Sequence, residues 1–222
     1  MVNGSRNKYG VILADVPWSY QNWTDARNGA ARSAMVCQDE EFLKEIPVDK
    51  WAARDSILAF WATMPKLNFA HEIAAAWGFE EYVTAVPWVK TTPSTGNIKT
   101  ITGFWTRCCA ELLMIFRRNE PKAHRKGLTT PAGLLEGNGP VFWSPPEKRQ
   151  HSSKPLGIHK WLSSQLNGPY LEIFARNSKP GWVCWGYDLG QELGPWGVRE
   201  HEEIEGEIPV VLEPINVQTT MF

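Results

Sequence analysis

Val11-Ile12-Leu13-Ala14-Asp15-Val16-Pro17-Trp18 decides the fold class of this 222-residue chain. Four apolar residues in a row, halted by an acid and a proline, read as a parallel strand buried on both faces that delivers a polar side chain at its carboxyl edge. Further strand-like runs lie at Ile57–Trp61, Tyr82–Val89, Glu111–Phe116, Tyr170–Phe174 and Trp182–Trp185. Between them, Lys66–Trp77 sets Leu67, Ala70, Ile73, Ala74 and Trp77 at helical spacing, with Gly78 placed to cap the end. Pro155–Leu166 reads as a second helix, with proline in its first turn and Gly168 just beyond it. Strands alternating with helices predict an α/β fold of βαβ units around a mostly parallel sheet, with ligands at the carboxyl ends of the strands.

Composition bounds what such a domain does. Hydrophobic residues make up 43% and charged residues 21%, so the chain can bury a core and is no disordered segment. Lys and Arg number 23 against 24 Asp and Glu, which excludes a wholly electrostatic nucleic-acid coat; any polyanion site must be local. Cys37, Cys108, Cys109 and Cys184 lack the spacing of a zinc knuckle or redox motif and read as reduced thiols, pointing to a cytoplasmic protein. The apolar run Val11–Ala14 is too short for a signal peptide, and no stretch approaches the length of a membrane span. Twelve tryptophans suit a protein that stacks on flat ligands, although core packing accounts for most tryptophans.

The sequence predicts one domain over residues 1–199 with a loop insertion around 117–150, followed by a loosely held acidic extension, 200–222. Ser19–Val36, polar and rich in Gly and Ala, reads as a lid; Pro121–Lys148, with four glycines and five prolines, reads as a long loop. Common catalytic signatures are missing. There is no P-loop, Gly137-Asn138-Gly139 runs into Pro140, the five histidines form no metal-ligand pair, and no serine sits in a G-x-S-x-G elbow.

What remains is Asp15-Val16-Pro17-Trp18. An exocyclic amine is a poor nucleophile because its lone pair is delocalised into the base ring. Two acceptors facing its two N–H groups localise that pair on nitrogen. Asp15 offers one acceptor and the Val16 carbonyl the other, while Pro17 biases Val16 toward an extended backbone and Trp18 offers an aromatic face. Taken in isolation, the same four residues also suit a strand terminus with an Asp turn and a core tryptophan.

The segment resembles the D-P-P-W motif of the MT-A70 family of S-adenosylmethionine-dependent adenine-N6 methyltransferases, with Val16 in place of the first proline. The resemblance continues through Ile46-Pro47-Val48, Leu58–Thr63, Trp77-Gly78-Phe79, Trp88-Val89-Lys90, Thr102-Gly103-Phe104-Trp105, Glu111-Leu112-Leu113, His151-Ser152-Ser153-Lys154-Pro155 and Gly168–Gly186. It implies a class I, Rossmann-like methyltransferase fold with helices on both faces of the sheet and the catalytic strand first in a permuted order. S-adenosyl-L-methionine is the implied cofactor. Asp15, Val16, Pro17 and Trp18 are the implied catalytic segment, and Asp15, Lys154, Arg176, Asn177, Tyr187 and Asp188 the implied cofactor contacts. Lys154 is expected to pair with the methionine carboxylate, and Tyr187 and Asp188 to bond the ribose.

With a methyltransferase cleft implied, the basic residues Arg117, Arg118, Lys122, Arg125 and Lys126, with His124 among them, are the expected phosphate contacts. An adenine amine inside a duplex is engaged in pairing, so the base must be flipped out or presented on a single strand. The expectation is an adenine-N6 methyltransferase acting on nucleic acid, DNA rather than RNA, in the cytoplasm of a bacterial or phage-infected cell, with a homo- or heterodimer left open. The alternatives are an RNA enzyme and a non-catalytic, nucleic-acid-binding partner subunit of the same fold.

Overall fold

The structure, a computed structural model, describes residues 8–18, 39–92, 94–100, 105–121, 142–144, 154–155 and 157–186. The elements run β1 (Tyr9–Ala14), α1 (Glu40–Glu45), α2 (Val48–Trp51), β2 (Ala52–Thr63), a 3-10 turn (Met64–Lys66), α3 (Leu67–Ala76), β3 (Glu81–Lys90), β4 (Ala110–Arg118), β5 (Phe142–Ser144), α4 (Ile158–Gln165), β6 (Tyr170–Ile173) and β7 (Val183–Trp185). The seven strands form one sheet in the order β5-β3-β4-β2-β1-β6-β7. β2 lies at its centre, with β1 beside it and parallel to both β2 and β6, and only β4 runs against the other strands.

Strand alternation sorts the side chains. Ile12 and Ala14 of β1, with Leu58, Phe60, Met114, Phe116, Leu171 and Ile173, face α1 and α3, where Leu43, Ala70, Ile73, Ala74 and Trp77 are buried. Val11 and Leu13, with Ala59, Trp61, Trp88, Leu113 and Ile115, face α4 and its Ile158, Trp161 and Leu162. Each of these strands is therefore buried on both faces, which is why β1 and the centre of β2 read as unbroken apolar runs.

α3 stops where Gly78 takes a left-handed φ of 82°. The Gly78 amide donates to the Ala75 carbonyl at 2.9 Å and the Phe79 amide to the Ala74 carbonyl at 2.8 Å, a paired closure of the last turn. The second helix is shorter than the sequence suggests. It begins at Ile158 after Gly157, whose φ is 87°, so Pro155 precedes the helix and does not sit in its first turn. Within the stretch expected as a long loop, Phe142–Ser144 pairs in parallel with Trp88–Lys90 of β3 as a strand at the sheet edge. The lid segment 19–36 and the acidic extension 200–222 lie outside the described residues. No helix among the described residues is long and apolar enough to cross a membrane.

Candidate active site

Alternation decides where the acid after β1 points. Asp15 shares parity with Val11 and Leu13, so its side chain emerges on the α4 face, while Val16 and Trp18 join the opposite core cluster. Glu111, at the start of β4, shares the α4 face with Leu113 and Ile115 and pairs across the sheet with Thr63 and Trp88. Lys154 descends between the two acids from the segment before α4. Its Nζ donates to Asp15 Oδ1 at 2.6 Å and Oδ2 at 2.7 Å, and lies 3.3 Å from Glu111 Oε2. Glu111 Oε1 accepts in turn from Lys90 Nζ. The four side chains are between 4% and 20% exposed, and their two negative and two positive charges cancel. Buried charges persist in this way only when each has a partner.

The network sets the proton affinities. Burial raises Asp15 above its ordinary 3.8; Lys154 pulls it back, but Glu111 adds to the rise and the net direction is up. Burial works against the charge on Glu111 too, yet Lys154 and Lys90 together outweigh it and hold Glu111 below 4.5. Lys154 loses to burial but gains more from Asp15 and Glu111, which keep it above 10.5. Of the two acids, Asp15 is the one whose proton affinity is raised, and it sits beside a lysine held as an ammonium.

A cleft of about 410 Å³ opens on Asp15 at the carboxyl ends of β1, β2 and β6, floored by Leu13 and Trp61 and walled by α4 and by the turn between β6 and β7. The volume suits a cofactor-sized ligand. Arg176 and Asn177 line it, as do Glu172 and His159. The turn that carries Arg176 is built under strain: Phe174 holds a φ of 62° in the left-handed region, a conformation costing an aromatic residue about 1–2 kcal/mol. The turn is tied down by the Ala175 amide, which donates to the Trp185 carbonyl at 2.8 Å. Gly186 permits that approach, since a Cβ there would lie 2.1 Å from the Ala175 carbonyl oxygen.

The structure places the other expected residues as follows. Lys154, expected on a cofactor carboxylate, lines the cleft with its Nζ bonded to Asp15 and close to Glu111. Trp18, expected to present a stacking face, is 6% exposed and its ring stacks on Phe60 with centroids 5.8 Å apart. The Val16 carbonyl accepts from the Trp18 amide at 2.9 Å, which leaves its second lone pair for another donor. Arg117 and Arg118 lie six and seven residues along β4 from Glu111, about 20 Å or more away at strand rise, toward the other end of the sheet. There Arg117 pairs with Glu81 at 2.7 Å and Arg118 donates to the Asp49 carbonyl at 3.0 Å. Neither arginine converges with Asp15. Tyr187, Asp188, Lys122, His124, Arg125 and Lys126 lie outside the described residues.

Glu111, Lys90, Glu172 and His159 were not among the expected site residues. The signal for Glu111 is an acid at the inward parity of an apolar strand, beside Leu113 and Ile115; nothing local announces that Lys90, 21 residues earlier, will meet it.

The profile of the MT-A70 family matches residues 9–188. The chain is 25% identical over 201 residues to the Type II methyltransferase M.MunI of a Mycoplasma species, covering 83% of this chain and 79% of that protein. It is 27% identical to the N6-methyladenosine RNA methyltransferase MTA1 of Pyricularia oryzae, covering 88% of this chain and 51% of the relative. It is 29% identical to the human N(6)-adenine-specific methyltransferase METTL4, covering 83% and 38%. The chain thus spans most of the bacterial relative and about half or less of the other two. The family match runs from β1 past β7 and takes in both the acid at the carboxyl end of β1 and the cleft beside it, so the chain belongs to the MT-A70 family of S-adenosylmethionine-dependent adenine-N6 methyltransferases.

Proposed function

We propose that this protein methylates the N6 amine of an unpaired or flipped-out adenine in nucleic acid, DNA in preference to RNA, and that Asp15 is its catalytic acceptor. The observation that carries the reading is Asp15 at the cleft, on the carboxyl edge of the interior strand β1, with Lys154 seated on both its oxygens. The permuted class I order is supported by the sheet: β3, β4, β2, β1, β6 and β7 lie side by side, the antiparallel strand is second from one end of that row, and the strand carrying the acid comes first in the chain.

The residues fit the cofactor. Asp15, Glu172, Lys154 and Arg176 give the cleft both signs of charge, as a ligand with an ammonium, a carboxylate and a sulfonium requires. When bound, S-adenosylmethionine supplies the methyl group on its positive sulfur. Asp15 and the Val16 carbonyl hold the two N–H groups of the amine and localise its lone pair. Lys154 orients the Asp15 carboxylate. Transfer of the methyl group would cost the amine one proton, and Asp15, the acceptor at the cleft whose proton affinity burial raises above its ordinary value, would receive it. Catalysis is then positioning and polarisation, with no covalent enzyme intermediate.

The preference for DNA leans on the relatives. The protein matched over most of its length is named a Type II methyltransferase, while the RNA methyltransferase is matched over half. Incubating a mixed DNA and RNA pool with methyl-labelled cofactor and digesting it to nucleosides tests the assignment. Label in N6-methyl-2′-deoxyadenosine is the expected result. Label only in N6-methyladenosine makes this an RNA enzyme, and no label in either favours the non-catalytic subunit.

A further inference from the structure

No described residue of the connection between β3 and β4 lines the cleft, yet the connection lies at the cleft end of the sheet. β4 runs against β2, and Thr63 at the carboxyl end of β2 pairs with Glu111 near the start of β4, so the chain arriving at β4 does so on the side of Asp15. The base of this arm is fixed beside the charge network. The Lys90 amide donates to the Cys109 carbonyl at 2.8 Å, and the Lys90 and Glu111 side chains are paired. Its first half turns back on itself: Thr91 is bridged to Ile98, the Lys99 amide donates to the Lys90 carbonyl at 2.8 Å and the Gly96 amide to the Thr92 carbonyl at 2.8 Å. In the second half Trp105 is 104% exposed, whereas Trp61, Trp77, Trp88 and Trp185 are 1% exposed or less. Its backbone also holds a left-handed φ of 62°, a conformation unfavourable for a bulky residue. Core packing thus accounts for neither its side chain nor its backbone. From Thr91 to Ala110 the sequence has no Asp or Glu. Lys99 and Arg107 are both exposed there, and neither forms an ion pair among the described residues.

We propose that this arm is a nucleic-acid contact, with Trp105 a stacking platform for an unpaired nucleobase near the target adenine and Lys99 and Arg107 its phosphate contacts; this rests on the proposed action on nucleic acid. A base taken out of a stack leaves neighbours that have lost an aromatic contact, and an indole face replaces that contact whatever the base, since every base has a π-face. The reach is sufficient. Trp105 is six residues from Glu111, whose Oε2 lies 3.3 Å from the lysine on Asp15, so at most about 20 Å of chain separates it from the acid network. At about 3.4 Å per stacked nucleotide, the base that it meets lies within about six steps of the target. Charge selects the partner: an acid-free arm with two unpaired cations complements a polyanion, while docking two such arms on each other would set like charges face to face.

Binding of fluorescein-labelled single-stranded oligonucleotides of DNA and of RNA, each containing adenine, is read by anisotropy on the full chain. Trp105→Ala weakens the better-bound oligonucleotide by about tenfold or more, the loss of one stacked base, while Trp105→Phe stays within about threefold of wild type. The melting curve and the calorimetric affinity for S-adenosylhomocysteine stay unchanged, because the indole touches neither core nor cleft. Lys99→Gln with Arg107→Gln flattens the log–log salt slope by about one and a half units, and Trp105→Ala leaves that slope as it was. Unchanged oligonucleotide affinity in Trp105→Ala overturns the assignment. So does a wild-type dimer in sedimentation velocity that Trp105→Ala converts to a monomer, which makes the arm an interface between copies. A wild-type protein that binds S-adenosylhomocysteine but neither oligonucleotide overturns the nucleic-acid reading itself.

Discussion

Lys154 donates to both carboxylate oxygens of Asp15, at 2.6 and 2.7 Å, from a position 139 residues away in the chain. An acid at the mouth of a cleft is thus oriented by a buried cation. That cation is steadied by Glu111 and, behind it, by Lys90. In the proposed mechanism this arrangement preorganises an acceptor where an amine nitrogen would become positive during methyl transfer, the situation in which a fixed electrostatic contact does most for the rate.

Lys90→Met tests the rear of this network. Lys90 and Glu111 are 9% and 4% exposed, so removing the lysine leaves two buried carboxylates, Glu111 and Asp15, sharing Lys154 alone. The loss expected is about 3–5 kcal/mol of unfolding free energy, read from urea denaturation. A loss below about 1 kcal/mol would place this pair with the weak ion pairs of the surface.

The pH dependence of stability follows from the directions of the shifts. Glu111 titrates below 4.5 in the fold, so its contribution is present above that value and disappears as pH falls through its lowered pKa. Lys154 titrates above 10.5, so its contribution is present below that value and disappears as pH rises through its raised pKa. Asp15 runs the other way from Glu111: its raised pKa favours the protonated fold and partly offsets the acid loss. Glu111→Gln should therefore flatten the fall in urea midpoint below pH 4.5, and an unchanged profile would contradict the assignment.

Trp18 separates packing from stacking. Truncation to Ala should cost about 3–5 kcal/mol because the indole is buried on Phe60. Trp18→Phe keeps an aromatic in the core and should lower turnover by less than about tenfold. A folded Trp18→Phe protein with wild-type cofactor affinity and a rate reduced more than about a hundredfold would restore the indole to the substrate face.

How far the fold could be read in advance depended on whether the signal was local. β1 was legible because four apolar residues end on Asp15 and Pro17, and α3 because its apolar stripe ends on Gly78. β2 begins five residues before its apolar run, at Ala52, since Arg54 and Asp55 lie at an exposed strand end that carries no hydrophobic pattern. α1 and α2 are six and four residues long, too short for a periodicity to register, although Asp39 caps α1 by accepting from the Phe42 amide at 2.7 Å. Asp15 and Arg176 were legible at the site because each closes an apolar strand run. The Glu111–Lys90 and Glu172–His159 pairs were not, because each joins different elements and only the sheet register brings them together.

Arg117 and Arg118 yield a prediction opposite to the one their sequence suggests. Both are engaged by the protein, away from the cleft. Arg117→Gln with Arg118→Gln should leave the log–log salt slope of nucleic-acid binding unchanged. A slope flattened by about two units would make them phosphate contacts after all.

Asp15→Asn is the most direct test of the account. The substitution keeps the shape of the side chain and replaces a charged acceptor by an amide. Measured on folded protein at saturating S-adenosylmethionine with an adenine-containing DNA substrate, the methylation rate should fall by about two orders of magnitude or more, the effect of losing one preorganised contact of roughly 3–4 kcal/mol. A folded, cofactor-saturated Asp15→Asn protein that makes N6-methyladenine at a near wild-type rate would contradict the catalytic assignment of Asp15.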